Sequence, residues 1–183
     1  QTSWAIWENE LERAELRNQW KRHGYVFGNG GPHTGLPNFL ISYHKVDEPS
    51  DMDAYIARIG KLGEALDQTT ERAKLAAADG IRPPKFGYDR TIAQAQNVIT
   101  GAPFGAGPDS PLWADVKTKV DVLKTAGKVD AAAADAKLAA AREALIGQMK
   151  PAYERLIAWL NSDVANAPSG TVGALTLPDG KAY

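Results

Sequence analysis

Apolar residues recur along most of the chain at the three- and four-residue steps of α-helices, and no alternating strand pattern extends beyond about five residues. The clearest series starts near Ser50 and is ended by Gly80 and Pro83. It predicts a helix of about seven turns, with one buried face and a capping box from Ser50 to Asp53. The positions on that face are Met52, Tyr55, Ile56, Ile59, Leu62, Leu66, Thr69, Ala73 and Ala76.

The same spacing predicts a first helix that has Ser3 as its N-cap. Trp4, Trp7 and Leu11 share one stripe of this helix, whereas Leu16 lies on another side. A helix that is apolar on two sides needs cover from two directions, which is typical of a piece of a larger body.

Three more helices are predicted at residues 84–99, 110–123 and 130–166. The last is alanine-rich in its first half, and Gly147 and Pro151 predict a kink in it. Trp113 and Trp159 lie on the apolar stripes of these helices and Trp7 on that of the first, so all three are expected to be core residues.

A dense run of glycines and prolines occupies residues 23–49, which predicts a long loop there. The loop contains Tyr25, Phe27, Phe39 and Tyr43, and is therefore the sequence's best candidate for a surface that contacts a ligand or another domain. A polar, glycine-rich tail follows at residues 167–183. The whole pattern predicts an all-α fold of about five helices, two of them long, in which residues 1–183 form a single helical domain or a fragment of a larger helical protein.

Composition excludes several classes of function. The chain has 21 basic and 22 acidic residues, so its net charge of -1 gives no field for binding nucleic acid. It has no cysteine, which excludes disulfides, thiolate zinc sites and cysteine nucleophiles. No transmembrane segment is expected, because no apolar run approaches the roughly 18 residues required. The chain begins at Gln1 without a methionine or a signal peptide, so we expect that a preceding segment was removed or omitted.

The motifs of common enzyme sites are missing. His23, His33 and His44 are too far apart in sequence for the two imidazoles that a His-Glu-x-x-His zinc helix needs, although a site assembled from all three by folding stays open. No G-x-S-x-G serine elbow is present. The glycines at residues 28–31 lack the lysine and hydroxyl of a phosphate loop, which favours a tight turn.

Four sequence motifs resemble the bacterial family of unknown function DUF885. They are residues 30–40 (GGPHTGLPNFL), 53–58 (DAYIAR), 80–84 (GIRPP) and 177–183 (LPDGKAY). Their order and spacing match the family over nearly the whole chain. The resemblance implies a longer, largely helical, exported or periplasmic parent, lipid-anchored in some members, that is similar to zinc metallopeptidases.

In that family a His-Glu-x-x-Pro-Gly-His-like metal-binding stretch follows the motif with which this chain ends, so no metal ligand is carried over. The resemblance implies a wall or lid of a substrate cleft, with zinc in the parent and no cofactor in this chain. His33, Thr34 and Tyr183 occupy family-like positions that either face the cleft or serve packing. Together with Phe39 and Tyr43, they are the candidate ligand-facing residues.

Two leading functional hypotheses follow, beside the third possibility of a structural or interaction protein that has lost its catalysis. The chain is either a non-catalytic portion of a metallopeptidase-like exported protein, or a stand-alone helical module that binds a peptide or protein through the aromatic segment 25–43. The expected partners are the remainder of the parent chain, a peptide, and a second copy of the chain in a homodimer that covers exposed apolar faces.

Overall fold

A computed structural model describes residues 2–170 and 172–182, and over these the fold is all-α, as predicted, with no strand. The α-helices are α1 (Thr2–Gln19), α2 (Pro32–Tyr43), α3 (Pro49–Ala78), α4 (Lys85–Val98), α5 (Pro111–Thr125), α6 (Ala131–Glu143) and α7 (Lys150–Asp163). A π-helical turn (Ala144–Met149) joins α6 to α7 without a break, so the described residues contain six continuous helices. Short 3₁₀ turns follow at Val164–Asn166 and Ala174–Thr176.

The long helix α3 is the centre of the body. Its buried positions include Tyr55, Ile59 and Leu66, which belong to the face that the sequence predicts. It packs mainly against the π-helical turn and α7, while α2, α5 and α6 contact it along its other sides. Gly60 and Gly63 allow the two elements to approach closely, because each lies against Gln148 of the π-helical turn.

The capping box of α3 is not where the sequence predicts it. The helix begins earlier, with Glu48 as its N-cap and Pro49 in its first turn. The carboxylate of Asp51 accepts hydrogen bonds from the backbone N–H groups of Glu48 (2.8 Å) and Asp47 (3.1 Å), and these bonds lower its pKa. Asp51 therefore has the role assigned to Asp53, because Pro49 takes the first helical position.

The prediction of a continuous loop over residues 23–49 is wrong, because residues 32–43 form α2. Pro32 occupies the first turn, where a missing N–H costs nothing. Pro37 lies inside the helix and cannot donate to the carbonyl of His33. The hydroxyl of Tyr153 donates to that carbonyl instead, at 2.5 Å, so a contact from α7 compensates the bond that Pro37 removes.

The prediction that Trp7 is a core residue is also wrong. It is exposed on α1, as are Trp4, Ile6, Leu11 and Leu16, and α1 has no buried residue. The apolar residues of α1 are therefore not buried against any other described part of the chain. Trp113 and Trp159 do pack against the core, half-buried. The helix also begins at Thr2, which places Ser3 inside it.

Where the sequence predicts a kink in the last helix, the structure has the π-helical turn. There the N–H of Lys150 bonds to the carbonyl of Leu145, five residues back, and Pro151 follows at once in the first turn of α7. The starts predicted for α5 and α6 are confirmed, with Ser110 and Asp130 as their N-caps. Within the described ranges, no helix is both long and apolar enough to cross a membrane.

Candidate functional site

A pocket of about 250 Å³ opens between α2, α4 and the start of α5. Its mostly apolar lining with a few polar groups makes it the best candidate for a ligand site. Apolar side chains form most of the wall, hydroxyl and amide groups interrupt it, and no charged residue lines it. The lining residues are Thr34, Pro37, Asn38, Ile41, Gln94, Asn97, Val98, Pro111 and Leu112.

Gln94 is held in this wall by a histidine behind it. The Oε1 atom of Gln94 lies 2.8 Å from Nε2 of His33, whose side chain is fully buried. The imidazole also contacts the ring of Phe27 edge-on, with the centroids 5.7 Å apart. Its Nδ1 atom has no hydrogen-bond partner. Burial lowers the pKa of His33, against the opposing effect of Gln94, so the ring is neutral at pH 7.

Local backbone makes room for the buried imidazole. A Cβ atom at Gly31 would lie 3.2 Å from Nδ1 of His33, so a residue without a side chain precedes the helix there. On the other side of the same residue, Tyr153 binds the His33 carbonyl. His33 is therefore fixed through both its backbone and its ring, which in turn fixes Gln94.

The candidate residues from the sequence do not form one site. Thr34 lines the pocket, and its hydroxyl donates to the carbonyl of Gly31. His33 lies behind the pocket wall. Phe39 and Tyr43 lie on another side of α2, 60% and 74% exposed, with ring centroids 5.4 Å apart. Tyr183 lies outside the described residues. These residues are separated because they lie on a helix, which directs successive side chains to different sides of its axis. In a loop, as the sequence predicts, the same side chains could have come together.

The three histidines are also kept apart. His23 contacts the carbonyl of Pro178, and His44 accepts from Arg58 at 2.7 Å and contacts the carbonyl of Asp51. His33 is bound to Gln94. In residues 2–170 and 172–182, no three His, Asp or Glu side chains come together as a group that could hold a metal ion. The three-histidine site left open by the sequence is therefore not formed.

Two of these histidines are expected to make stability depend on pH. Burial lowers the pKa of both His33 and His44 below the ordinary value of 6.5, and the nearby Arg58 guanidinium adds to the effect on His44. The unfolded chain takes up these protons at a higher pH than the folded chain does. We therefore expect the free energy of unfolding to fall as the pH is lowered from about 7.5 to about 5.5, which urea unfolding at a series of pH values will measure.

The quantity to compare between variants is the slope of the free energy of unfolding against pH, and not the free energy itself. Carboxylates titrate mostly below this range, so the double variant His33→Gln, His44→Gln should show a flatter dependence even though it is less stable. An unchanged slope in that variant would show that other groups carry the effect.

Sequence reasoning missed the amide groups of the pocket. Gln94 and Asn97 are three residues apart on α4 and so share a helical face, but such a pair on a polar surface is ordinary. Only the packing of α2 against α4 identifies Gln94 and Asn97 as pocket residues. That packing could be expected only if residues 32–43 were recognised as a helix.

Comparisons with known proteins give one positive finding. The family model described as "Bacterial protein of unknown function (DUF885)" matches residues 1–183. No curated protein and no solved structure matches the chain.

Proposed function

We propose that this chain, which belongs to the DUF885 family of bacterial proteins of unknown function, is a non-catalytic helical portion of a metallopeptidase-like exported protein, and that its pocket holds part of a peptide. Family membership agrees with the resemblance of the four sequence motifs. The exported, lipid-anchored and metallopeptidase-like character of the parent is part of this proposal. The single observation that carries the binding role is the open, uncharged pocket between α2, α4 and α5.

The chemistry of the pocket suits a peptide. Its apolar wall can remove one apolar side chain from water, which favours binding by about 25 cal/mol for each Å² buried. Its amide groups at Asn38, Gln94 and Asn97 can exchange hydrogen bonds with a peptide backbone. Both α2 and α4 are anchored to the body, so the two walls are formed before the ligand arrives.

Zinc does not fit the described residues of this chain. His23, His33 and His44 each have a separate environment, and no group of three donors is present in residues 2–170 and 172–182. The hydrolytic step that the family resemblance implies is therefore assigned to residues outside this chain. The role of this chain is to bind and orient.

A second candidate is a stand-alone peptide-binding module. The observation that favours it is the exposed pair of rings at Phe39 and Tyr43, which forms an aromatic surface on α2 apart from the pocket. In this case the peptide would lie across the rings and not in the pocket, so one mapping experiment separates the two candidates.

The test uses the purified chain, an acetylated and amidated Ala-Leu-Ala tripeptide, and backbone amide chemical shifts measured by NMR. We expect titration to shift resonances around the pocket at millimolar or lower concentration. Asn38→Trp, at the exposed rim, should weaken binding at least about tenfold, because the indole occupies the opening. Phe39→Trp places the same side chain one residue further on, on the other side of α2, and should bind as the wild type does.

Three outcomes would overturn the proposal. They are no shift at any peptide concentration, shifts confined to Phe39 and Tyr43, and chelator-sensitive hydrolysis of the tripeptide by the chain itself. The second outcome would establish the stand-alone module in its place.

A further inference from the structure

The contact between His33 and Gln94 determines which polar atom the pocket offers to a ligand. The Oε1 atom of Gln94 can only accept, so the proton on that 2.8 Å bond belongs to Nε2 of His33. This bond uses one of the two acceptor positions of Oε1. The NH₂ group of Gln94, which carries two donors, is left for the pocket.

The charge of the lining restricts the ligand further. No acidic or basic side chain lines the pocket. A free carboxylate or ammonium group that entered it would lose hydration without gaining an opposite charge, which is costly. A neutral amide has a much smaller cost of desolvation. Its carbonyl can accept from Gln94, and its N–H can donate to a side-chain oxygen of Asn38 or Asn97.

The volume sets the length of the bound part. At about 250 Å³ the pocket is smaller than the range typical of drug-sized ligands, so it takes one side chain with the adjoining peptide group and not a longer segment.

We propose that the pocket is a subsite for an apolar residue inside a peptide chain, that the NH₂ group of Gln94 receives the carbonyl oxygen of that residue, and that His33 is the positioning residue for Gln94. This inference rests on the proposed function and narrows its substrate class to internal peptide segments. Free amino and carboxyl termini are rejected.

Three probes of similar size test the charge requirement. N-acetyl-leucine amide is neutral, N-acetyl-leucine has a free carboxylate, and leucine amide has a free ammonium group. We expect the neutral probe to bind at least about tenfold more tightly than either charged probe, with dissociation constants taken from NMR titration.

A pair of variants tests the donor. Gln94→Met keeps the length and apolar stem of the side chain but has no N–H, so the neutral probe should bind about tenfold more weakly. Gln96→Met makes the same change at an exposed position of α4 that does not line the pocket, and should leave affinity unchanged.

The positioning role of His33 has a readout of its own. Long-range ¹⁵N–¹H spectra of the imidazole should show a proton on Nε2 and none on Nδ1 at pH 7. A proton on Nδ1, equal affinity for the three probes, or an unaffected Gln94→Met variant would overturn this inference. If the tripeptide still binds in the pocket, only the inference fails. If no peptide binds there, the proposed function fails with it.

Discussion

Asp163→Ala is expected to lower the free energy of unfolding by about 3–5 kcal/mol, because it leaves a partly buried guanidinium without its counter-charge. The Asp163 side chain is 9% exposed and lies at the end of α7. It accepts from Nε and Nη2 of Arg82 at 3.1 Å, from the hydroxyl of Tyr88 at 2.5 Å and from Asn166 at 3.1 Å. One carboxylate thus connects the segment after α3 with α4 and α7.

The ionisation of Asp163 agrees with this role. Burial opposes the charged form, but the hydrogen bonds from Arg82, Tyr88 and Asn166 outweigh it and lower the pKa of the carboxyl. The same carboxylate raises the pKa of Arg82. Both members of the pair are therefore charged in the folded protein at neutral pH.

A second ion pair provides the control. Arg155 and Asp67 also form two hydrogen bonds, at 3.0 and 2.6 Å, but their side chains are 58% and 38% exposed. Water screens this pair, so Asp67→Ala should cost only about 0–1 kcal/mol. Urea unfolding of both variants measures the difference. Equal losses would show that burial of the Asp163 cluster does not determine its contribution.

Gly63→Ala is expected to lower the free energy of unfolding by about 2–3 kcal/mol, although alanine is the better helix former by about 1 kcal/mol. A Cβ atom at this position would lie 2.5 Å from the carbonyl oxygen of Gln148. That oxygen belongs to the backbone of the π-helical turn and cannot rotate away. The helix and the turn would have to separate, which would disturb the packing between them.

Gly60→Ala is the matched control, one turn away on the same face of α3. Its new methyl group would meet only the end of the Gln148 side chain, which can take another rotamer. We expect its stability to lie within about 1 kcal/mol of the wild type, as measured by thermal and urea unfolding. Similar losses in both glycine variants would contradict this account.

The fold is predictable from the sequence where apolar spacing is regular. The face of α3 through Tyr55, Ile59 and Leu66 follows from the sequence, because one long helix surrounded by others needs a continuous apolar stripe. The helix α2 does not follow from the sequence, because Pro37 interrupts the helical pattern there. The compensating bond to the His33 carbonyl comes from Tyr153, 120 residues later, so no local rule could have found it.

The candidate site is harder to predict for the same reason. Thr34 is a candidate because of its position in a motif, and it lies in the pocket. His33 is a candidate that either faces a cleft or serves packing, and the structure places it buried behind Gln94. Nothing in the sequence marks Gln94 as a site residue, since an amide side chain on a helix is usually exposed to solvent. Arg82 lies in the GIRPP motif, and its contact with Asp163 gives that motif a structural meaning.

The π-helical turn at Ala144–Met149 determines which way the side chains of α7 point. Since each residue of an α-helix advances by about 100°, the wider turn delays α7 relative to a straight continuation of α6 by about one residue. If all of these residues continued as a regular α-helix instead, Tyr153, Leu156 and Leu160 would turn together by about 100° from their present orientation. The inward orientation of the last helix thus depends on the wider turn, which takes up about one residue more than a regular α-helical path of the same rotation would.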